Sequence, residues 1–139
     1  MYTIKLIENN DLGIIIPLLK VLNTSIDEQT LQERLAEMKQ HSYNCVGVFD
    51  GEKLVAICGF WILVKHYVGK HIEPDNVFVL PEYQGRKIGE QMMNWIYNYG
   101  KEAGCIASEL NCYVSNSAGV KFWINQGYKI IGYHFQKHL

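Results

Sequence analysis

Two periodicities in the distribution of hydrophobic residues divide the chain into helices and strands. Apolar residues that recur every three or four positions predict helices over residues 12–22, 26–40, 86–103 and 116–126. The second begins with the capping-box sequence Ser25-Ile26-Asp27-Glu28, and the third and fourth are followed by glycine, at Gly104 and Gly127. Pro17 predicts that the first helix starts late or is kinked.

Apolar runs bounded by turn residues predict strands over residues 2–7, 46–49, 54–64, 77–80, 106–113 and 128–135. Asp50-Gly51, between the second and third of them, favours a tight hairpin turn. The order β-α-α-β-β-β-α-β-α-β is typical of an α/β (α+β) domain with a mixed central sheet. No repeat, low-complexity tract or linker interrupts it, so we predict a single domain over residues 1–139.

Composition and charge narrow the classes of function. The 139 residues carry 13 basic and 14 acidic side chains, a formal net charge of −1, so no basic face for nucleic acid is expected. No apolar run approaches the roughly 20 residues that span a bilayer, and the first residues are not typical of a signal sequence. We therefore expect a cytoplasmic protein with no membrane contact. The 4 cysteines form no C-x-x-C pair and do not cluster with the 5 histidines, so no metal site is indicated.

The segment most indicative of chemistry, residues 77–89, joins a strand to an amphipathic helix through a loop that contains glycine. The first amides of a helix lack intrahelical partners and carry the positive end of the helix dipole, so such a junction binds anions. Gly85 and Gly89 let a ligand approach the backbone closely, and Arg86 and Lys87 add positive charge. The alternative interpretation is an ordinary strand-to-helix turn with a solvated Arg-Lys pair.

Two segments carry a resemblance to a known family. Val79-Leu80-Pro81-Glu82-Tyr83-Gln84-Gly85-Arg86-Lys87-Ile88-Gly89 resembles the signature V-x-P-x-[YF]-[QR]-x-x-G-x-[GA] of the GNAT superfamily, the acyl-CoA-dependent N-acetyltransferases. Asn116-Ser117-Ala118-Gly119-Val120-Lys121-Phe122-Trp123, followed by Gly127-Tyr128, resembles that family's N-x-x-A-x-x-F-Y-x-x-x-G-[FY]. The resemblance covers nearly the whole chain and is closest to the small bacterial members. It implies the GNAT fold, with a mixed sheet of six to seven strands flanked by about four helices.

The resemblance also implies acetyl-CoA as cosubstrate and no metal. In the family the loop amides hold the CoA pyrophosphate, while the preceding strand and the second motif contact the pantetheine arm. The cofactor-binding residues assigned in this way are Val77, Phe78, Val79, Gln84, Gly85, Arg86, Lys87, Ile88, Gly89, Asn116, Phe122 and Trp123. The alternatives are a purely N-cap role for Asn116 and a solvent-facing Arg86.

Two residues depart from the family pattern. Lys87 stands where the motif has glycine, so the loop either avoids a positive φ there or tolerates it at a cost of roughly 1 kcal/mol or more. Trp123 stands where many members have the tyrosine that protonates the departing thiolate. An indole cannot supply a proton near neutral pH, which leaves Tyr128, Tyr113 or water as the donor.

Acetyl transfer to an amine requires the neutral amine, so a base is expected near the acceptor. Family members often carry a carboxylate on the strand before the loop, a position held here by Asp75, with Glu73 two residues earlier. The candidate catalytic residues are therefore Asp75 first, then Glu73, with Tyr128 as a proton donor. The alternative is that Asp75 caps a turn and Glu73 is a solvated charge. His66 and His71 are interpreted as surface or packing residues.

These observations predict an N-acetyltransferase that moves an acetyl group from acetyl-CoA to a primary amine, on a small molecule, by direct attack on the thioester. One alternative is a protein acetyltransferase that acts on an N-terminus or a lysine. The other is a non-enzymatic acyl-CoA-binding module, which Trp123 favours. No motif names the acceptor. A homodimer built through the C-terminal strand is compatible with the resemblance.

Overall fold

One mixed sheet organises the structure, a computed structural model that describes residues 1–139. The strands are β1 (Thr3–Leu6), β2 (Asn44–Asp50), β3 (Lys53–Lys65), β4 (Gly69–Val79) and β5 (Ala107–Ser108). The helices are α1 (Ile16–Leu22), α2 (Glu28–Gln40), α3 (Ile88–Glu102) and α4 (Ser117–Asn125), with 3-10 segments at Asn9–Ile15 and Pro81–Tyr83. The strands lie in the order β1-β2-β3-β4-β5, antiparallel except for β4 and β5, which are parallel. None of the helices combines the length and apolar character that a bilayer crossing requires.

Hydrophobic cores lie on both faces of this sheet. On one face α1 and α2 pack over the sheet around Tyr43 and Ile57, in what we call the α1/α2-side core. On the other face α3 packs around Phe60 and Ile72, in the α3-side core. A strand that is covered on both faces needs apolar residues at successive positions, which explains why β3 is apolar over most of its length.

A β-bulge in β4 changes which face its residues occupy. Gly59 of β3 pairs with Asp75, whereas Ile57 pairs with Phe78, so β4 has one residue more than β3 in this interval. Asn76 lies within the bulge and has a φ of 52°. Before the bulge the odd-numbered residues of β4 face the α1/α2 side; after it an even-numbered residue, Phe78, packs against that core.

Strands β4 and β5 pair briefly and then separate. His71 pairs with Ala107 and Ile72 with Ser108, and the amide of Glu109 donates to the Ile72 carbonyl at 3.1 Å. Beyond that point no residue of β5 pairs with β4. The edge of β4 is therefore open from residue 73 to the loop that leads into α3.

The sheet has five strands, so the prediction of six to seven is wrong. The strand predicted over 106–113 is reduced to the two residues of β5, and the segment predicted as a strand over 128–135 pairs with no strand. Its apolar residues Ile130, Tyr133 and Phe135 are exposed, the last at 88%. Alternation of apolar and polar residues shows only that a segment suits a half-buried surface. To form a strand, the segment also needs a neighbouring strand edge with which its backbone can exchange hydrogen bonds.

The helix predictions are confirmed with small shifts. α2 ends at Gln40 as predicted, but Asp27 caps it rather than Ser25, accepting a hydrogen bond from the Thr30 amide at 2.8 Å. Pro17 lies in the first turn of α1 behind a 3-10 segment, which is the late start that proline imposes. α3 and α4 match their predicted ranges to within two residues at each end.

Candidate active site

The loop between β4 and α3 forms a shallow cavity of about 220 Å³ at the N-terminus of α3. Gly85 has a φ of 78°, a left-handed conformation that glycine adopts without steric cost. The first amide to bond within this helix is that of Gln91, which donates to the Lys87 carbonyl at 3.1 Å, so amides 88–90 are available to a ligand. The cavity is lined by Val79, Tyr83, Gln84, Gly85, Lys87, Ile88, Gly89, Glu90 and Phe122. Its backbone therefore suits an anion.

Lys87 adopts the strained conformation that its position imposes. Its φ of 62° and ψ of 20° are left-handed, and it precedes α3 as an N-cap that makes no side-chain capping bond. A residue with a Cβ loses roughly 1–2 kcal/mol in this conformation. The loop therefore tolerates the positive φ rather than avoiding it. In return, a cationic residue lines the cavity.

Arg86 is held beside the cavity and is not part of its lining. Its Nη1 donates to the Tyr2 hydroxyl at 3.1 Å, and the guanidinium carbon lies 4.9 Å from the centre of the Tyr83 ring. Tyr83 in turn donates a hydrogen bond to Asp50 at 2.7 Å. The guanidinium is thus placed at the rim, where it contributes charge at a distance.

α4 borders the cavity through its aromatic residues. A Cβ at Gly89 would lie 3.6 Å from the ring of Phe122, so the two helices approach closely at this glycine. The centroids of the Trp123 and Phe122 rings are 4.9 Å apart. Asn116 caps the helix, accepting from the Gly119 amide at 3.0 Å, which confirms its N-cap role. Its contact with pantetheine stays a prediction.

Tyr128 lies at the point where β4 and β5 begin to separate. Its hydroxyl is 2.6 Å from Ser108 Oγ, and Ser108 pairs with Ile72 across the two strands. Burial raises the pKa of Tyr128, so the phenol keeps its proton at neutral pH. The Trp123 ring is 5.4 Å away from it. Tyr113, the other donor considered, is 81% exposed and belongs to no helix or strand.

Asp75 has both carboxylate oxygens engaged. Oδ1 accepts from the Asn76 amide at 2.9 Å, and Oδ2 accepts from Trp61 Nε1 at 3.0 Å. Asn76 Oδ1 accepts in turn from the buried hydroxyl of Tyr43 at 3.0 Å. A Cβ at Gly59 would lie 1.9 Å from that hydroxyl, so only glycine leaves room for this network. The arrangement fixes Asp75 within the bulge.

Glu73 has one engaged oxygen and one without a hydrogen bond. Its Oε2 lies 2.8 Å from His71 Nε2 and 3.4 Å from the Lys65 ammonium, and its side chain is 16% exposed. It is the first residue of β4 beyond the pairing with β5. Glu73 is therefore a carboxylate at the start of the unpaired edge of β4, with one oxygen that accepts no hydrogen bond.

His71, interpreted from the sequence as a surface or packing residue, is fully buried and polar, with an exposure of 0%. The signal was its spacing: residues 71, 73 and 75 alternate along one face of a strand. Ligand atoms of His71, Glu73 and Glu109 lie within 4.8 Å of one another. His71 Nε2 is hydrogen-bonded to Glu73 and lies 4.0 Å from Glu109, and the Lys65 ammonium lies 3.4 Å from Glu73.

The three residues before the loop, Val77, Phe78 and Val79, turn their side chains into the two cores. Their backbone lies along the open edge of β4, and its pairing with pantetheine stays a prediction. β4 thus joins the loop, at its C-terminal end, to the acidic residues Glu73 and Asp75 farther back along the same strand.

A loop that suits an anion, following a strand with an unpaired edge and two carboxylates, has the features that acyl transfer from CoA to an amine requires. The family model described as "Acetyltransferase (GNAT) family" matches residues 16–128, and the chain belongs to that family. A curated relative, the aminoalkylphosphonate N-acetyltransferase of Salmonella typhimurium, is 31% identical over 122 residues, covering 86% of this chain and 79% of the relative. The chain is therefore an acetyl-CoA-dependent acyltransferase.

Solved structures agree with the fold. The aminoglycoside N-acetyltransferase AAC(6')-Iy in complex with CoA is similar with a TM-score of 0.85 at 14% identity, covering 100% of this chain and 95% of that one. A ribosomal-protein-alanine N-acetyltransferase from Brucella melitensis biovar Abortus 2308 is similar with a TM-score of 0.82 at 16% identity, with both chains fully covered, at 100%. Because the named acceptors differ while the fold does not, the fold leaves the acceptor open.

Proposed function

We propose that this protein transfers the acetyl group of acetyl-CoA to a primary amine of a small molecule. The observation that carries the proposal is the placement of Glu73 and Asp75 on the strand that leads directly into the anion-binding loop. A base and a pyrophosphate site are the two features that this reaction needs. The curated relative, named for an aminoalkylphosphonate, supports a small acceptor.

The loop is proposed to hold the CoA pyrophosphate. Its glycine at position 85, the amides of residues 88–90 and the charge of Lys87 fit a phosphate group, and Arg86 adds charge from the rim. Gln84 donates to the Val79 carbonyl at 3.0 Å and so supports the loop from within. The pantetheine arm would follow the backbone of residues 77–79 past Asn116, where an amide can polarise the thioester carbonyl.

Glu73 is proposed as the base, ahead of Asp75. Both oxygens of Asp75 already accept hydrogen bonds, whereas Glu73 keeps one oxygen that accepts none. In the reaction the neutral amine attacks the thioester carbonyl, a C–N bond forms and the C–S bond breaks. The carboxylate takes the proton of the acceptor ammonium before this attack, and the proton that nitrogen loses afterwards ends on the departing thiolate. Asp75 is left to position β4 and the acceptor.

Tyr128 is proposed to protonate the departing thiolate in place of Trp123. Its buried phenol is protonated at neutral pH and lies beside Ser108 where the strands separate. Water can replace it, because a thiolate with a pKa near 8 to 9 needs only a weak acid. Tyr128 is thus expected to accelerate the reaction without being essential to it.

Release of CoA thiol, followed with a thiol reagent, tests the proposal. The acceptor panel holds aminoalkylphosphonates, aminoglycosides, polyamines, amino acids and lysine-bearing peptides, and calorimetry measures acetyl-CoA binding in parallel. Turnover with a small amine is the expected result. Turnover with peptides alone would favour the protein acetyltransferase, and binding without any turnover would favour the acyl-CoA-binding module.

The proposal also includes the domain organisation, the oligomeric state and the cellular location of the protein. We expect residues 1–139 to act as one catalytic domain, since both cores share one sheet. We also expect a homodimer, because residues 128–139 lie outside any strand while Ile130, Ile131, Tyr133 and Phe135 are exposed. A second copy offers the neighbouring strand edge that one chain lacks. The four cysteines are free thiols, which fits a cytoplasmic location.

A further inference from the structure

The geometry around His71 determines where its protons lie. Nδ1 is 2.9 Å from the Gly69 carbonyl oxygen, which can only accept, so Nδ1 carries a hydrogen. Nε2 is 2.8 Å from Glu73 Oε2, and two lone pairs do not approach so closely without a proton between them. His71 and Glu73 therefore share one movable proton: either imidazolium with carboxylate, or neutral imidazole with carboxylic acid.

The surroundings of this pair balance its charge. Lys65 on β3 lies 3.4 Å from the same oxygen of Glu73, and Glu109, just after β5, lies 4.0 Å from His71 Nε2. Tyr67, in the turn between β3 and β4, donates to Glu109 at 2.5 Å. Two carboxylates thus face one ammonium and one shared proton, so the cluster is neutral when the proton is present.

The pKa of His71 follows from these contacts. Burial alone would lower it, but the hydrogen bonds to Gly69 and Glu73 and the charge of Glu109 outweigh burial and raise the pKa above its ordinary value. The shared proton is consequently retained to a higher pH than on an isolated imidazole. Above that pH the pair carries one negative charge and is ready to accept a proton.

We propose that His71 is a positioning residue for Glu73 and that the two take up the acceptor's proton as a unit. This rests on the proposed function. An acceptor ammonium gives one proton to the free oxygen of Glu73, and a half-turn of the carboxyl group then brings that protonated oxygen to Nε2. The pair passes from a net charge of −1 to 0, with the proton held between Glu73 and His71. The neutral amine then attacks the thioester, and the proton later leaves to water.

The hydrogen bond from His71 to Gly69 fixes the orientation of the imidazole ring relative to Glu73. The ring is enclosed, and its bond to Gly69 prevents rotation, so Nε2 stays directed at the Glu73 carboxyl group. While one oxygen of Glu73 pairs with Nε2, the other accepts no hydrogen bond from the chain. A carboxylate on a free side chain would rotate between several orientations, whereas this one presents one oxygen to the acceptor.

Nitrogen-15 NMR of the histidine rings across pH tests the shared proton in the protein without substrates. We expect the His71 ring to titrate with a midpoint above the ordinary value of about 6.5. Glu73→Gln should lower that midpoint by about 1–3 pH units, and Glu109→Gln by less. The exposed His66, in the same spectra, is the internal control. An unchanged His71 midpoint in Glu73→Gln, or an Nδ1 without a hydrogen, would overturn the inference.

Kinetics of His71→Gln then test the positioning role. The glutamine amide can donate to Glu73 but cannot take up a proton, so the shared proton of the pair is lost. We expect the acid limb of kcat/KM for the acceptor to move to lower pH by about one unit or more, with KM for acetyl-CoA unchanged. An equal loss of activity at every pH would indicate a merely structural histidine. If the wild type acetylates nothing, the proposed function fails, while the NMR result still decides on the pair.

Discussion

The two sides of β4 are built differently. Toward β3 it is paired over most of its length, and the network of Tyr43, Asn76, Asp75 and Trp61 fixes its bulge. Toward β5 it pairs at only two positions, and the chain after β5 is largely exposed. The closely packed side holds the groups in place, and the open side leaves the backbone of β4 unpaired, which on the proposed function gives substrates access. A transferase needs both, because a base that moves by an ångström loses alignment with its acceptor.

The largest effect should come from filling the space beside Tyr43. Gly59→Ala places a Cβ 1.9 Å from the Tyr43 hydroxyl and must break the network around the bulge. We expect a loss of about 3 kcal/mol in the free energy of unfolding, measured by urea denaturation. Gly132→Ala is the matched control, since no atom lies within 4 Å of its added Cβ. Equal stability of the two variants would show that the paired side is not closely packed.

Next in size is the loss of the base. Glu73→Gln should lower kcat by about 100-fold while calorimetric binding of acetyl-CoA is unchanged, because the amide cannot accept the amine's proton. Asp75→Asn is the comparison: it removes one acceptor from the network of the bulge and should lower stability more than it shifts the pH profile. The reverse pattern, with turnover lost only in Asp75→Asn, would return the role of base to Asp75.

A smaller effect is expected at the loop. Lys87→Gly removes the strain of a residue with a Cβ in the left-handed conformation. Because glycine also loses more backbone entropy on folding, we expect a net gain of about 0.5–1 kcal/mol in the free energy of unfolding. Calorimetry should show several-fold weaker binding of acetyl-CoA, because the charge is lost. Lys121→Gly, on α4, controls for the loss of a surface charge. If Lys87→Gly were less stable than the wild type, Lys87 would not be strained. If it bound acetyl-CoA as tightly as the wild type, the charge of Lys87 would not contribute to binding.

The smallest effect on the fold is expected on the open side. Replacing Tyr133 and Phe135 by serine removes two exposed rings and should change the free energy of unfolding of a single chain by under about 0.5 kcal/mol. Light scattering should nevertheless show the mass of two chains for the wild type and of one for this variant. A wild-type protein with the mass of one chain at every concentration would exclude the dimer.

The sequence predicted those parts of the site that depend on neighbours along the chain, and missed those that depend on strand pairing. The loop and its glycine at position 85 were predictable, because backbone geometry and helix amides depend on neighbours along the chain. The burial of His71 and its approach to Glu109 were not, since they depend on the pairing of β4 with β5, although the spacing of His71 from Glu73 was visible in the sequence. The strand predicted over 128–135 failed for the same reason: its pattern is local, but a strand requires a partner.

The bulge at Asn76 divides β4 into two parts. Before the bulge the odd-numbered residues 71, 73 and 75 lie on the α1/α2 side, and after it an even-numbered residue, Phe78, faces that side. The side chains of residues 77–79 enter the two cores. Deleting the single extra residue would exchange the two faces of β4 on one side of the bulge. If the proposed function holds, one inserted position thus separates the side chains that would serve the acceptor from the backbone that would serve acetyl-CoA.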